Sequence, residues 1–225
     1  MKNIILQHWS GNLGELEKLS QKSIQDYAEY CGADYRLLRG SVFDKSLSSQ
    51  SQKLAMLTEE FDEYDTVVMM DIDMFRRKGA TKNIFTDETG IGRHHGIQPT
   101  LVKNLQKRFP FLGDPNYAYW GGSIYRLPLD IRKKLRKHYN VSEAIQFNNN
   151  YNDEGVMHRL AVLAGVKNHE KWYLDRQQWN HSSFDEGVDQ AEIIHIRPKV
   201  KPGGPKRPKI ENYRSLVERG LIDES

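Results

Sequence analysis

The stretch Thr66-Val67-Val68-Met69-Met70-Asp71-Ile72-Asp73 decides the fold. An unbroken β-branched and apolar run, preceded by Tyr64-Asp65, predicts a short strand buried on both faces, as in a parallel sheet. The strand runs into two carboxylates. Because side chains alternate along a strand, Asp71 and Asp73 are expected on the same side, and the carboxyl edge of an open α/β sheet is where ligands bind. Acidic groups placed there need a neutralising partner, and a hard divalent cation with oxygen ligands suits them.

Upstream of that strand, Asn3 to Gln7 reads as a first buried strand. A helix follows from about Leu13 to Cys31, with Leu16, Leu19, Ile24, Tyr27 and Cys31 at helical spacing and Gly32 as its stop. Ala33 to Leu38 is a second strand, and a second helix over Gln52 to Glu63 carries Leu54, Leu57 and Phe61 on one face. This β-α-β-α-β opening implies parallel strands with helices on both faces of the sheet.

Downstream, Gly79 to Asn116 breaks into short pieces and reads as an insertion over the carboxyl edge, with Arg93-His94-His95-Gly96 as a polar loop. Strand character resumes from Tyr117 to Tyr125 around Gly121 and Gly122, glycines that let a backbone approach a ligand closely. Pro128 fits the first turn of a helix running to about His138, whose Arg132-Lys133-Lys134-Leu135-Arg136-Lys137 predicts an exposed basic face. Asn148 to Asp153 forms a polar loop ending in Asp153 as N-cap, before a helix that buries Val156, Leu160, Leu163 and Ala164. Trp172-Tyr173-Leu174 and Glu192 to Ile196 are the last strands. The expectation is one α/β domain over residues 1–202, with a mostly parallel central sheet. A proline- and glycine-rich tail over 203–225 follows, in which Lys206-Arg207-Pro208-Lys209 is solvated and a short helix spans Asn212 to Arg219.

With 225 residues the chain is long enough for a sizeable core, and a formal charge of +3 is too small for a general polyanion binder, so no nucleic-acid partner is expected. A single cysteine, Cys31, excludes an internal disulfide framework. The apolar start is too short for a signal peptide, and no stretch approaches the ~20 apolar residues of a membrane span. A soluble, cytoplasmic protein is expected; the basic helix reads first as an exposed face, with weak attraction to an acidic membrane surface or acceptor as the alternative.

The carboxylate pair gains weight from the end of the chain. His195 closes an apolar strand, and Lys199 and Lys201 follow on a proline-stiffened segment. Two carboxylates and one imidazole leave room on an octahedral ion for two diphosphate oxygens, and the nitrogen ligand shifts preference from magnesium towards manganese. The lysines would neutralise the remaining phosphate charge.

These residues carry a resemblance. Val68-Met69-Met70-Asp71-Ile72-Asp73 resembles the DxD motif of GT-A-fold (Rossmann-like) glycosyltransferases, and His195-Ile196-Arg197-Pro198-Lys199-Val200-Lys201-Pro202 is similar to the His-Phe-x-Gly-x-x-Lys-Pro motif of the glycogenin and bacterial galactosyltransferase group. Lys53 matches a donor-contacting lysine. Trp120-Gly121-Gly122-Ser123-Ile124-Tyr125 resembles the strand that backs the donor sugar, and Asp153-Glu154-Gly155-Val156-Met157 resembles a segment reaching the reacting sugar. The ordered set, spanning roughly residues 4–202, is what is specific. Pro198 stands where that group has glycine, and Glu154 where it has glutamine.

The resemblance implies a GT-A domain that moves a sugar from a nucleotide-diphosphate donor to a hydroxyl on a glycan, protein or small molecule. Uridine is the favoured base and guanosine the alternative. Asp71, Asp73 and His195 would bind Mn2+ or Mg2+. Gln7, His8, Trp9, Lys53, Asp71, Gly121, Gly122, Lys199 and Lys201 would contact the donor, and Asp153 and Glu154 would be catalytic. Two competing readings are a haloacid dehalogenase-type phosphotransferase using Asp71 as nucleophile, and a non-catalytic nucleotide-sugar-binding module.

Overall fold

The structure, a computed structural model, describes residues 1–86, 91–92, 99–112, 121–166, 173–174, 176–201 and 203–224. Strand β1 (Asn3–Trp9), helix α1 (Glu15–Tyr30), strand β2 (Asp34–Arg39) and strand β3 (Thr66–Met70) form the opening unit. β1 pairs in parallel with both β2 and β3. The second crossover departs from expectation. In place of an α-helix over 52–63, the chain makes 3-10 turns over Gln50–Leu57 and Glu59–Phe61. Every residue from Ser51 to Leu57 is buried, and a tighter helix with three residues per turn fits a segment enclosed on all sides.

β4 (Met74–Arg76), β5 (Ile91–Gly92), α2 (Pro99–Arg108), β6 (Ile124–Pro128), α3 (Leu129–Arg136), α4 (Val141–Ala144) and α5 (Asn152–Leu163) follow. The chain continues through β7 (Tyr173–Leu174), α6 (Arg176–Trp179), β8 (His181–Ser182), β9 (Ile193–His195) and α7 (Lys209–Glu218). The main sheet has the order β2-β1-β3-β6-β5-β7, and β6 alone runs against its neighbours, so the sheet is mostly parallel as expected. A second sheet, β4-β9-β8, goes beyond what the sequence predicts.

Alternation along the buried strands divides the core. Ile4, Leu6, Val67 and Met69 pack with Leu135, Val156 and Leu160 of α3 and α5, whereas Ile5, Val68 and Met70 pack with Ile24, Tyr27 and Ala28 of α1. A third cluster joins Phe75, Ile194 and Ile196 to Tyr213 and Leu216 of α7. Helix α7 begins at Lys209, earlier than the sequence predicts, and it is seated on the small sheet.

The basic helix is also different from expectation. Arg132 is fully buried and donates to the carbonyls of Phe61 and Tyr64, and Arg136 donates to both oxygens of Asp62 at 3.0 and 2.8 Å. Lys133, Lys134 and Lys137 remain exposed. No described helix is long and apolar enough to cross a membrane. The features expected at 93–96 and 117–120, at Trp172 and at Pro202 fall outside the described residues.

Gly155 lies in α5 against the ring of Phe147, which is buried and packed 4.6 Å from the Phe109 ring centroid. A Cβ there would fall inside contact distance of that ring. Gly→Ala within a helix ordinarily gains about 1 kcal/mol. Here the overpacking cost is expected to win, so Gly155→Ala should lose about 1–3 kcal/mol in urea unfolding.

Candidate functional site

The main strand ends at Met70, and Asp71-Ile72-Asp73 turns the chain directly into β4, with the Met74 amide donating to the Asp71 carbonyl at 3.3 Å. The two carboxylates are therefore brought together by a turn between sheets and not by strand alternation. Antiparallel pairing of β4 with β9 sets Met74 opposite His195, and the Ile196 amide donates to the Asp73 carbonyl at 2.9 Å. Residues far apart in sequence thus become one cluster. Asp71, Asp73 and His195 each offer a ligand atom, all within 4.8 Å of one another.

The cluster fits a divalent cation. His195 Nε2 lies 3.0 Å from Asp73 Oδ1 and 3.9 Å from Asp71 Oδ2, and ligands at right angles on an ion about 2.1 Å away would be about 3 Å apart. His195 Nδ1 is 2.9 Å from Asn180 Oδ1, an acceptor that fixes the proton on Nδ1. Burial lowers the imidazole pKa despite Asp73, favouring the neutral ring. A neutral ring held this way aims its Nε2 lone pair at two carboxylates, which repels unless a cation lies between them. Burial alone would raise the Asp73 pKa, but His195, whenever its ring is protonated, and the Lys209 ammonium hold it well below the usual carboxylate range. Asn180 carries no motif that would have marked it in the sequence.

Lys53, from the 3-10 segment, binds the other half of the site. Its ammonium reaches Asp71 Oδ1 at 2.8 Å, Asp153 Oδ2 at 3.0 Å and the Gly122 carbonyl at 2.7 Å. Burial opposes its charge, but Asp153 and Asp71 raise its pKa. Asp153 is not the N-cap. It lies in the first turn of α5, where it accepts from Tyr125 Oη at 3.1 Å, and burial, reinforced by Asp71 and Glu154, pushes its pKa up to about 7 against the pull of Lys53. Glu154 Oε1 accepts from the Gly122 amide at 2.7 Å. A Cβ on Gly122 would meet Asp153 Oδ2 at 2.6 Å, so only glycine lets α5 approach β6 this closely. Gly121 is buried beside it.

The loop before α5 is held under backbone strain. Asn149, Tyr151 and Asn152 have left-handed φ values of 58, 68 and 44°, each such residue costing about 1–3 kcal/mol. Asn148 Oδ1 accepts from the Ser48 amide at 2.7 Å and Asn152 Oδ1 from Ser48 Oγ at 2.8 Å, which fixes the start of α5 against the 44–53 segment.

A cavity of about 400 Å³ opens at this edge, lined in part by His8, Trp9, Ser49, Lys53, Asp71 and Asp73. Trp9 donates its indole N–H to the Asn12 carbonyl at 2.9 Å, which orients the ring. His8 Nε2 contacts the Gly40 carbonyl at 2.8 Å, and burial lowers its pKa. Gln7 is fully buried and braced, donating to Ser20 Oγ and the Asp71 carbonyl and accepting from Tyr35 Oη at 2.8 Å. It supports the Asp71 turn and does not line the cavity, so the expected donor contact by Gln7 is corrected.

Lys199 and Lys201 are not brought to the cluster. The backbone bridge between Lys199 and Lys206 closes a loop there, Lys199 lines a separate cavity with Asp185, Glu186 and Arg207, and Lys201 is exposed. The lysine that touches Asp73 is Lys209.

No family profile and no curated protein matches the sequence. Solved structures do. The galactosyltransferase LgtC, in complex with donor and acceptor sugar analogues, superposes with a TM-score of 0.57 at 13% identity over 99% of this chain and 97% of that one. The chain has the GT-A fold. A glycosyltransferase involved in glycosylation of the major capsid of PBCV-1 gives a TM-score of 0.54 at 14% identity, covering 96% of this chain and 100% of that chain. An active-site mutant of LgtC gives 0.54 at 14% identity, over 99% of this chain and 97% of that one. In this fold Asp71 follows the third strand in chain order, whereas the haloacid dehalogenase motif sits on the first, so that reading loses its structural basis.

The Asp153 pKa predicts a pH dependence. A folded pKa of about 7 against an ordinary 3.8 means the folded state keeps a proton that the unfolded state has released between those values. Its contribution is full below the lower value and is lost as pH rises through the upper one. In chelator, the stability of wild type relative to Asp153→Asn should therefore fall from about pH 4 to about pH 7 and then level off. Urea midpoints across that range check this, and a difference that stays flat or rises contradicts it.

Proposed function

We propose that this protein transfers a sugar from a nucleoside-diphosphate donor, with uridine the favoured base, to a hydroxyl acceptor on a glycan, protein or small molecule. The observation that carries this reading is the Asp71–Asp73–His195 cluster at the mouth of the cavity walled by Trp9 and Lys53. The GT-A fold and the order of the sequence motifs support it. A divalent ion bound at the cluster, manganese or magnesium, would supply Lewis-acid stabilisation of a leaving diphosphate.

The chain's own residues divide the remaining work. Asp73 and His195 would hold the ion, with Asn180 keeping the His195 ring in its ligating tautomer. Asp71 is shared between that cluster and Lys53, whose ammonium limits the negative charge at the centre. Trp9 and His8 line the cavity, and the Trp9 ring is the group to stack on the base. Gly122 brings the first turn of α5 against the sheet, which sets Asp153 beside Lys53 and Glu154 on the Gly122 amide, next to the cavity wall formed by Lys53 and Asp71. These two carboxylates are assigned to the reacting sugar. In transfer, the bond from the anomeric carbon to diphosphate oxygen breaks and a bond to the acceptor oxygen forms. The acceptor proton passes to a carboxylate, and Asp153 or Glu154 in its ionised form is the group to take it or to stabilise positive charge developing on the sugar ring.

Calorimetric titration of UDP- and GDP-sugars with Mn2+ and with chelator tests the reading. One donor should bind tightly only with metal, and Asp73→Ala should weaken it by 10-fold or more, on the order of the loss of an ion ligand. Metal-dependent binding without hydrolysis or transfer to any acceptor would favour a non-catalytic nucleotide-sugar-binding module. Absence of binding to any donor would contradict both.

A further inference from the structure

Lys209 is the first residue of α7 and comes from a segment whose sequence predicts a solvated tail. Its ammonium pairs with Asp73 Oδ2, while Asp73 Oδ1 faces His195 Nε2 at 3.0 Å. Both oxygens of the carboxylate are therefore engaged, and a protein cation takes one of them.

The start of α7 is fixed there by the chain that leaves β9. Asn212 is buried and donates its amide to the carbonyls of Arg197 and Lys199 at 2.6 and 3.1 Å. The Arg207 amide donates to the Pro198 carbonyl at 3.0 Å, and the Arg207 guanidinium donates to Asn212 Oδ1. Tyr213 and Leu216 then bury themselves in the core of the small sheet. The backbone carrying Lys209 is thus tied to the segment following His195. Its side chain is freer, at 37% exposure, and can turn towards solvent without unseating the helix.

A divalent ion and an ammonium on one small carboxylate repel each other strongly, and a single carboxylate cannot neutralise both. We propose that Lys209 is an exchangeable counter-cation of the ion site, neutralising Asp73 in the metal-free protein and displaced from it by the incoming ion. The displaced ammonium stays at the rim on its tethered backbone, where it attracts the diphosphate that follows the ion. The inference rests on the ion-site reading of Asp71, Asp73 and His195. It assigns to Lys209 the neutralising role that the sequence suggests for Lys199 and Lys201.

Opposite effects on two ligands give the test. Mn2+ alone, and then inorganic pyrophosphate added to the Mn2+-saturated protein, are titrated into the full chain as wild type, Lys209→Met and Lys209→Arg. Removing the competitor should make Lys209→Met bind Mn2+ on the order of tenfold tighter, the change from losing one charged hydrogen bond. The same variant should bind pyrophosphate more weakly by a similar factor, while Lys209→Arg stays near wild type for both. A Mn2+ affinity that Lys209→Met leaves equal or weakens overturns the proposal, as does an unchanged pyrophosphate affinity. If wild type binds Mn2+ and only the Lys209→Met enhancement is missing, this inference alone fails. If neither protein binds Mn2+, the ion-site reading fails with it.

Discussion

The hydrogen bond from the Ile196 amide to the Asp73 carbonyl, 2.9 Å long, is the constraint on which the site depends. It joins the turn after β3 to the exit of β9, and so joins the large sheet to the small one. Without it, two carboxylates at a strand end would face solvent and His195 would be one more buried histidine. With it, the three side chains lie within 4.8 Å of one another at the sheet's carboxyl edge. The turn itself is braced from below by Gln7, whose amide donates to the Asp71 carbonyl at 3.0 Å.

Charge balance then determines the rest of the edge. Asp71, Asp73, Asp153 and Glu154 are concentrated at one end of the sheet, and two lysines from opposite parts of the chain divide them. Lys53 bridges Asp71 and Asp153, and Lys209 pairs with Asp73. Crowding four acids here, with Asp73 and Asp153 buried, is costly unless each has a cation or a donor beside it. The raised Asp153 pKa marks where that compensation is least complete, because Lys53 is shared with Asp71 while Glu154 adds further negative charge.

The opening β-α-β unit, the central strand and the pairing of Asp71 and Asp73 with His195 were legible because each leaves a local signal. These signals are a run of apolar residues, a helical stripe, or a carboxylate or imidazole at a strand end. The second sheet was not, since strands of two or three residues such as His181–Ser182 and Met74–Arg76 are too short to show alternation. Leu54 and Leu57 sit three apart, a spacing that an α-helix and a 3-10 helix share, so the tighter helix could not be distinguished. Arg132 reads as one more surface cation until its carbonyl partners, Phe61 and Tyr64, are placed opposite it. Asn180 and Lys209 act on the cluster only through tertiary contacts, 15 residues from His195 and 136 from Asp73 in sequence. Lys199 and Lys201 illustrate the reverse case, a motif spacing that fits while the fold turns the side chains elsewhere.

The central claim is that Asp71, Asp73 and His195 hold a divalent ion. Anomalous diffraction from crystals of the full chain grown with Mn2+ addresses it most directly. The account predicts one strong manganese peak about 2.0–2.3 Å from an Asp73 carboxylate oxygen and from His195 Nε2, with Lys209 no longer on Asp73. A strong manganese peak at other residues, or none at these three, would contradict it.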